Sequence, residues 1–342
     1  MDRLGGVLIS ICVPAYNAMG HILDCINSAL EQSYSQWELI IVDDGSRERD
    51  AKFYNEMAAR DPERIKVFHT ENRGPYLARK LAYSKASGDY LLSLDADDCL
   101  LGKDALSSLV EIAARERPDI ILFNGAIGSR YGRNFVDYSK LANIQEGVID
   151  QTAYKYELIA SYELNNLAFK MVKREVMLSG EFRSERVIMT EDRLQVLEIA
   201  DEVNSIYLIN KPLYQYRMVE SSTTHSRYTA EMYQQTCQVE SYSLEKCREW
   251  GIDESVWAKM FQAVSYGAIR SVRESTRAYK DRKTLYNLIC NSELFIYAVN
   301  RSGGVVGRID RKIGNYLLTR RRFVLLDAYL KCAIVLLRRV KR

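Results

Sequence analysis

Short apolar runs alternate with helical patterns through the first 125 residues, and this alternation is the strongest constraint on the fold. The apolar runs are aliphatic or β-branched and fall at 7–13, 39–42, 65–68, 90–94 and 119–123. Stretches with helical spacing lie between them, at 22–30, 51–59, 77–86 and 105–114. Strands that alternate with helices predict βαβ units, and therefore an α/β fold with a mostly parallel central sheet. In such sheets, ligands bind beyond the carboxyl ends of the strands.

The rest of the chain predicts two further parts. Residues 126–150 read as a long loop or an irregular hairpin, and 151–217 resume a mixture of helix and strand. Amphipathic patterns at 230–250, 255–279 and 284–299 predict a helical C-terminal extension. We therefore expect three parts, which are residues 1–125, 126–226 and 227–342.

Composition excludes several classes of protein. A hydrophobic fraction of 47% and a charged fraction of 27% are those of a globular chain, not of a disordered one. None of the seven cysteines forms a C-x-x-C pair, so neither a zinc site nor a disulfide framework is expected, and a cytoplasmic location fits best. No window of 18 apolar residues predicts a membrane-spanning helix.

Polar residues follow three of the predicted strands, where parallel strands end at one edge of the sheet. The three segments are Pro14-Ala15-Tyr16-Asn17, Asp43-Asp44-Gly45-Ser46 and Asp95-Ala96-Asp97-Asp98. Asp95 and Asp97 are two positions apart, so both side chains leave the same face of an extended strand end. Two carboxylates on one face suit a hard divalent cation, Mn²⁺ or Mg²⁺, that bridges substrate phosphates. The alternative is that these aspartates cap the helices that follow.

The segment that runs from ISICVPAYN through ELIIVDDGS to SGDYLLSLDADD resembles the nucleotide-sugar-binding half of the family 2 glycosyltransferases. The likeness covers about residues 8–105, and a weaker likeness continues to about residue 226. The Asp95-Ala96-Asp97 triplet resembles the D-x-D motif of that family. The resemblance implies the GT-A fold with its Rossmann-like sheet, a nucleoside-diphosphate sugar as donor, usually a UDP-sugar, and inversion at the anomeric carbon.

The resemblance also implies a role for each residue of the donor site. The residues expected to bind the nucleotide are Pro14, Ala15 and Tyr16 in the base pocket, Asp43 on the uracil or ribose with Asp44 close by, and Asp95 and Ala96 near the ribose or metal. Asp97 is expected to ligate the metal on the diphosphate, with Asp95 as a second ligand.

Arg79 matches the arginine of the family's A-R-N-x-G segment, which faces the nucleotide. Lys80 and Ala82 replace the asparagine and the glycine of that segment, so the match is incomplete. The alternative is that Arg79 and Lys80 form a solvated helix face.

The segment Met189-Thr190-Glu191-Asp192 precedes a helical pattern and resembles the E-D motif whose aspartate is the catalytic base of the family. The chemistry needs such a base, because a sugar hydroxyl is a poor nucleophile until a positioned carboxylate takes its proton. We predict Asp192 as the base and Glu191 as the second candidate. The alternative is that Thr190 caps a helix whose positive end favours the two carboxylates.

Two further segments resemble the family less closely. Residues 212–217, followed by Ser221 and Ser222, resemble a Y-x-Y-R…S segment from which an arginine approaches the diphosphate, so Arg217 or His225 is expected there. Residues 165–170 stand where relatives often carry W-N-K-L, but the tryptophan and the lysine are missing, which leaves the acceptor pocket undefined.

The end of the chain is strongly basic, since residues 301–342 contain 12 Lys/Arg and 2 Asp/Glu. A charged stripe at Arg320, Asp327, Lys331 and Arg338 leaves the rest of a helix apolar. The pattern predicts that residues 316–342 lie on an anionic membrane surface, inserted through Phe323, Leu326, Leu330 and Leu337. The alternatives are a helix packed on the protein's own core or a homodimer through the C-terminal helices. Nucleic acid is not expected, because aromatic residues are not interleaved with the basic ones.

The resemblance implies a hexosyl- or N-acetylhexosaminyl-transferase that acts on a glycan or a lipid-linked acceptor, and the basic end of the chain predicts peripheral association with the inner face of the membrane. A nucleotidyltransferase would need a Gly- and Lys-rich loop after the first strand, and Pro14-Ala15-Tyr16-Asn17 is not one. A non-catalytic nucleotide-sugar-binding or partner-recruiting protein is the other alternative. The acidic clusters at 95–97 and 191–192 count against it.

Overall fold

The structure is a computed structural model of the 342-residue chain. It describes residues 6–127, 134–136, 145–180, 187, 189–217, 228–276 and 278–340. The chain forms two compact units, the first being Met1–Leu158 with Tyr162–Val219 and the second Ile159–Ser161 with Glu220–Arg342. The predicted subdivision of the first 226 residues at residue 125 stays a prediction, and both parts contribute strands to one sheet.

The described strands of the first unit form one sheet. They are β1 (Ile9–Ala15), β2 (Trp37–Asp44), β3 (Ile65–Thr70), β4 (Tyr90–Ser93), β5 (Cys99–Leu100), β6 (Ile120–Ile127), β7 (Asn134–Val136), β8 (Gly147–Ile149), β9 (Lys170–Lys173) and β10 (Ile206–Tyr216). The helices between them are α1 (Ile22–Leu30), α2 (Glu48–Ala58), α3 (Pro75–Lys85), α4 (Ala105–Glu116), α5 (Gln151–Ala160), α6 (Arg174–Ser179) and α7 (Glu191–Ile199). Each strand and helix predicted within residues 7–123 is present, with small shifts of its ends.

Burial on both faces explains why the central strands were recognisable in the sequence. All eight residues of β2 are buried, and its middle is an unbroken aliphatic run. β2 lies between β1 and β3 and is parallel to both. A parallel strand covered on both sides has no solvent face, so its sequence is continuously apolar instead of alternating.

The strand order is β3-β2-β1-β4-β9-β6-β10-β5, with β7 paired to β6 and β8 paired to β10. β1 is parallel to β2 and β4, so the carboxyl ends of these three strands lie at one edge of the sheet, as the sequence predicted. β9 lies between β4 and β6 and is antiparallel to both. This insertion brings a segment from the second half of the chain beside the acidic end of β4.

The described helices of the second unit are α8 (Ala230–Glu249), α9 (Glu254–Ser275), α10 (Tyr279–Cys290), α11 (Glu293–Arg301), α12 (Ile309–Thr319) and α13 (Phe323–Val340). The prediction of a helical C-terminal region is confirmed. α9 packs against each of the other five helices, and its Trp257 and Phe261 are fully buried. The single helix predicted over 284–299 is wrong, because α10 ends at Cys290 and Ser292 begins α11 by accepting a hydrogen bond from the N–H of Phe295.

The apolar residues predicted to enter a membrane are part of the core of the second unit. Phe323, Leu326 and Leu330 are buried, so the prediction that they insert into lipid is wrong. The side chain of Leu337 lies outside the described part of the chain. Asp327, expected in an exposed charged stripe, forms a two-bond ion pair with Arg282, with N–O distances of 2.6 and 2.9 Å. Within the described residues, no helix is both long enough and apolar enough to cross a bilayer.

Candidate active site

The carboxyl ends of β1 and β2 bring the predicted base-pocket residues together. Ala15 and Asp43 are register partners on these two strands. The buried Asp43 carboxylate accepts a hydrogen bond from the N–H of Ser46 at 2.9 Å and lies 2.8 Å from Nδ1 of His69 on β3. Tyr16, which follows Pro14 and Ala15, is 56% exposed. The strand ends therefore hold a fixed carboxylate beside an open aromatic ring, a combination that can hydrogen-bond and stack against a nucleoside.

The carboxylate of Asp44 is hydrogen-bonded to the backbone of the protein. Its carboxylate oxygens accept hydrogen bonds from the N–H groups of Arg73, at 2.8 Å, and Gly74, at 2.9 Å. Gly74 immediately precedes α3, where backbone N–H groups have no partner within the helix. Asp44 therefore anchors the start of α3 to β2. The helix that follows Asp44 in the chain is α2, which has no side-chain cap, so the capping alternative is wrong for this residue.

The loop that follows β4 is anchored by Asp98, a residue to which the sequence analysis assigned no role. Its two carboxylate oxygens accept hydrogen bonds from the hydroxyl of Tyr214 and the N–H of Arg217, both at 2.7 Å. The same tyrosine hydroxyl accepts a hydrogen bond from the N–H of Asp95 at 3.2 Å. Burial, followed by the charge of Asp95, raises the pKa of Asp98 to about 8. β10 thus fixes the loop that carries Asp95 and Asp97.

A buried arginine joins the D-x-D-like triplet to the predicted base. Arg79 Nη2 lies 2.8 Å from Oδ1 of Asp95, and Arg79 Nη1 lies 2.7 Å from Oδ1 of Asp192. The same Nη1 lies 3.7 Å from a carboxylate oxygen of Glu191. Arg79 is only 4% exposed, so the alternative of a solvated helix face is wrong for this residue. One guanidinium therefore holds together carboxylates that are 97 positions apart in the sequence.

Packing between α3 and α7 explains how Arg79 reaches Asp192. Tyr76, one turn before Arg79 on α3, donates its hydroxyl hydrogen bond to the carboxylate of Glu198, at 2.9 and 3.0 Å. Gln195, one turn after Asp192 on α7, donates to the backbone carbonyl of Tyr76 at 3.2 Å. Residues three positions apart share a helix face, so these contacts turn the ion-pairing side chains toward each other.

Asp192 lies in the first turn of α7, in a partly desolvated position. Its Oδ2 accepts a hydrogen bond from the N–H of Leu167 at 3.3 Å. Burial raises the pKa of Asp192, and Arg79 opposes that rise. Burial, followed by the charge of Asp192, raises the pKa of Glu191 to about 7. Glu191 therefore takes up its proton in the neutral range, while burial and Arg79 act on the pKa of Asp192 in opposite directions.

Lys170 is a site residue that the sequence analysis missed. It begins β9, is 1% exposed, and donates to the backbone carbonyl of Asn166 at 2.5 Å. Burial lowers the pKa of Lys170 to about 7, and the charge of Asp192 opposes this. The signal that would have found it is the W-N-K-L pattern in a later register, where Ala168-Phe169-Lys170-Met171 keeps the lysine.

Gly125 on β6 has no side chain, and this allows the segment before β9 to pack closely against the sheet. The ring of Phe169 packs so close to Gly125 that an added Cβ there would lie 2.2 Å from Cε1 of the ring. The same ring meets Tyr214 edge-on, with centroids 5.2 Å apart. These contacts hold the backbone that carries the Leu167 N–H and the Lys170 side chain next to α7.

Thr190 stands immediately before α7 in a left-handed backbone conformation, with φ of 60°. Its hydroxyl donates to the carbonyl of Met189 at 2.6 Å and makes no hydrogen bond to the helix. The alternative in which the Thr190 side chain caps the helix is therefore wrong. Positive φ is rare for a β-branched residue and is concentrated at functional sites.

Arg217, predicted to face the diphosphate, binds protein atoms in this structure. Its guanidinium donates to the carboxylate of Asp24 at 2.6 Å and to the backbone carbonyls of His21 and Asp97. It also lines a cleft of about 520 Å³ beside α1 and residues 99–103, whose lining does not include Tyr16, Asp43 or Asp192. Ser221, Ser222 and His225 lie outside the described residues.

Within the described residues, no group of three or more His, Cys, Asp and Glu side chains is arranged to hold a metal ion. A cation at the triplet would therefore rely on Asp97 and Asp95, with its remaining ligands from substrate phosphates and water, as is usual for Mg²⁺. Each oxygen of the Asp98 carboxylate already accepts one hydrogen bond, and these bonds anchor the loop that carries Asp95 and Asp97.

Comparison with known proteins agrees with this geometry. Residues 10–171 match the model of glycosyl transferase family 2. Glycosyltransferase GlyG of Streptococcus pneumoniae serotype 4 is 25% identical over 314 residues, which cover 86% of this chain and 98% of that protein. The Bacillus subtilis glycosyltransferase TuaG is 28% identical over 223 residues, which cover 65% of this chain and 84% of that protein.

Among solved structures, S. aureus TarS 1–349 in complex with UDP-GlcNAc superposes with a TM-score of 0.68. The two chains are 16% identical, and the match covers 95% of this chain and 90% of that one. The shared fold is the GT-A fold, as the sequence predicted. These likenesses support a family 2 glycosyltransferase and argue against the nucleotidyltransferase alternative.

Proposed function

We propose that the chain transfers a hexosyl or N-acetylhexosaminyl group from a UDP-sugar to a hydroxyl of a glycan or a lipid-linked acceptor, with inversion. The observation that carries the proposal is the Arg79 bridge, which joins Asp95 at the end of β4 to Asp192 on α7. It brings a candidate diphosphate site and a candidate base to one centre. TarS, which shares the fold, has been crystallised with UDP-GlcNAc, and this supports a uridine nucleotide as donor.

The donor would lie along the carboxyl ends of the strands. Asp43, fixed by Ser46 and His69, would accept hydrogen bonds from the uracil or the ribose. Tyr16 would contact the base from its exposed position, with Pro14 and Ala15 beside it. The anomeric carbon would then lie between the triplet and Asp192, which are the two groups that Arg79 connects.

Asp192 would remove the acceptor proton on the side of the sugar opposite the diphosphate. As the proton leaves, the acceptor oxygen bonds to the anomeric carbon, and the bond to the UDP oxygen breaks with its electron pair. A carboxylate has about four acceptor positions, so the hydrogen bonds from Arg79 and Leu167 leave room for the acceptor hydroxyl. A single in-line displacement inverts the anomeric carbon.

Asp97 and Asp95 fit a divalent cation, Mn²⁺ or Mg²⁺. Burial and the charge of Asp95 raise the pKa of Asp97, which is the mark of an acidic pair lacking enough positive charge. Arg79 occupies one oxygen of Asp95 and supplies part of that charge. A bound cation would neutralise the departing diphosphate. Ala96 between the two aspartates is buried, which keeps the loop close to the sheet.

The proposal includes a location and an oligomeric state. We expect the enzyme in the cytoplasm at the inner face of the membrane, because residues 301–342 carry 12 Lys/Arg and 2 Asp/Glu. A homodimer through the C-terminal helices is the alternative use of the same region.

Replacement of Asp192 by Asn tests the reaction. The amide keeps the shape and cannot take a proton, so release of UDP should fall by about 10²–10⁴-fold while the affinity for UDP-sugar is unchanged. Glu191→Gln is the matched control on the neighbouring residue and should lose much less. An inactive Glu191→Gln beside an active Asp192→Asn would move the base by one position. If the unaltered chain turned over none of the UDP-, GDP- and dTDP-sugars, the non-catalytic alternative would be favoured.

A further inference from the structure

The outer side of α12 and the start of α13 carry large apolar side chains in contact with solvent. On α12, Ile309, Ile313 and Tyr316 follow each other at spacings of four and three, and Ile309 is 78% exposed. On α13, Val324 is 69% exposed and Leu325 is 59% exposed. Scattered exposed apolar residues are ordinary, whereas a contiguous group usually marks an interaction surface.

These residues belong to one helical hairpin. α12 and α13 pack against each other and against α9. The hydroxyl of Tyr329 on α13 donates to the backbone carbonyl of Asp310 on α12 at 3.0 Å, so the helices run side by side. Leu318, Leu326 and Leu330 of these two helices are buried, so the exposed residues lie on the side turned away from the core of the second unit. We name the exposed apolar side chains on that side, together with their neighbouring cations, the hairpin surface.

The hairpin surface is positively charged. Five exposed cations accompany the apolar side chains, namely Arg308, Lys312, Arg320, Arg321 and Arg322. The two acidic residues of this part of the chain do not cancel them. Asp310 lies 3.6 Å from Arg308 and offsets that one cation, and Asp327 is turned inward onto Arg282 and Arg273, so the surface keeps a positive excess.

We propose that the hairpin surface binds an anionic lipid bilayer. The apolar side chains would enter the boundary between headgroups and acyl chains, and the arginines would contact lipid phosphates while their stems cover apolar surface. A second copy of the chain fits less well, because a two-fold interface would bring the five cations of each copy together. This inference rests on the proposed function in one respect: membrane binding would bring the enzyme to a lipid-linked acceptor.

The proposed contact differs from the one expected from the sequence. The residues nominated by the charge pattern, Phe323, Leu326 and Leu330, are buried against neighbouring helices. Val324 and Leu325 lie between two of them in the sequence and face solvent. Substitutions at these two positions therefore change the surface and leave the packed core of the second unit in place.

The test is flotation of the full chain with phosphatidylcholine vesicles, with and without phosphatidylglycerol. The unaltered chain should bind the anionic vesicles at low salt and release as salt screens the charges. The double variant Val324→Ser/Leu325→Ser should partition about tenfold less strongly, because two apolar side chains no longer enter the lipid. Arg320→Gln/Arg322→Gln should lose the preference for phosphatidylglycerol. Val148→Ser, which changes a valine of the first unit that is 76% exposed, is the matched control and should bind fully.

Three results would overturn the inference. They are no vesicle binding by the unaltered chain at low salt, undiminished binding by Val324→Ser/Leu325→Ser, or a dimer in light scattering that this variant dissociates. UDP release without vesicles is measured for every variant. Loss of vesicle binding with unchanged UDP release supports the lipid surface, whereas absence of UDP release from the unaltered chain counts against the proposed function alone.

Discussion

Replacing Arg79 by Gln removes the cation that bridges Asp95 and Asp192. Two unit charges about 4 Å apart interact by about 4 kcal/mol at an effective dielectric constant of about 20. Charge partners at this range typically lower the pKa of an aspartate by about 1–3 pH units. Burial already raises the pKa of Asp192, so the loss of Arg79 should move that pKa further up by about this amount.

The base acts in its ionised form, so activity is present above its pKa and is lost as the pH falls through it. The acidic limb of kcat/KM should therefore move to higher pH by about 1–3 pH units in Arg79→Gln. The assay is UDP release from pH 5 to pH 10 at saturating metal. Activity at pH 7 should fall by about tenfold or more and should recover substantially in alkali.

Lys80→Gln is the matched control, because it removes the same charge one position further along α3. It should leave the acidic limb where it is in the unaltered enzyme. A rate that falls equally at every pH in Arg79→Gln would refute the reasoning. Such a result would mean that Arg79 acts on the donor or on the fold and does not hold the base ionised.

Three further outcomes are expected. Chelation of divalent cations by EDTA, or Asp97→Asn, should abolish turnover without lowering the melting temperature by more than a few degrees; equal turnover in EDTA and in Mn²⁺ would exclude the metal. Without metal, the folded chain should lose stability as the pH rises from 3.8 to about 8, because buried Asp98 binds a proton more tightly than it does in the unfolded chain. In urea titrations, Asp98→Asn should reduce the dependence of the free energy of unfolding on pH. An unchanged pH dependence would argue against Asp98 as its source. Gly125→Ala should lower the free energy of unfolding by about 1–3 kcal/mol, since its Cβ would meet the ring of Phe169; denaturant midpoints equal to those of the parent would contradict this.

Local patterns were sufficient to predict the first half of the sheet. β1, β2 and β4 are buried, so their apolar runs were visible, and parallel pairing then put their polar ends at one edge. The GT-A fold and Asp95, Asp97 and Asp192 as site candidates followed from motifs of a few residues. The helical C-terminal region followed from amphipathic spacing, although the break at Ser292 did not.

What the sequence did not reveal depends on contacts between distant residues. The bridge from Arg79 to Asp192 spans 113 positions, and the Tyr214 hydroxyl reaches Asp98 over 116. No periodicity in the sequence distinguishes a buried, bridging arginine such as Arg79 from an arginine exposed to solvent. Lys170 was not predicted because its burial follows from the pairing of β9 with β6, where it lies opposite Leu122. The tail was misread because an amphipathic helix looks alike whether its apolar face meets lipid or protein.

The position of β9 has a consequence for how the chain is made. β9 hydrogen-bonds to β4 on one side and to β6 on the other, although it comes some 80 residues after β4 and 50 after β6 in the chain. While a ribosome is still short of residue 170, the edges of β4 and β6 have no strand between them. Unpaired strand edges are templates for aggregation. A nascent or truncated chain that ends near residue 125 should therefore be prone to chaperone capture, and solubility should return only when residues 170–173 have emerged.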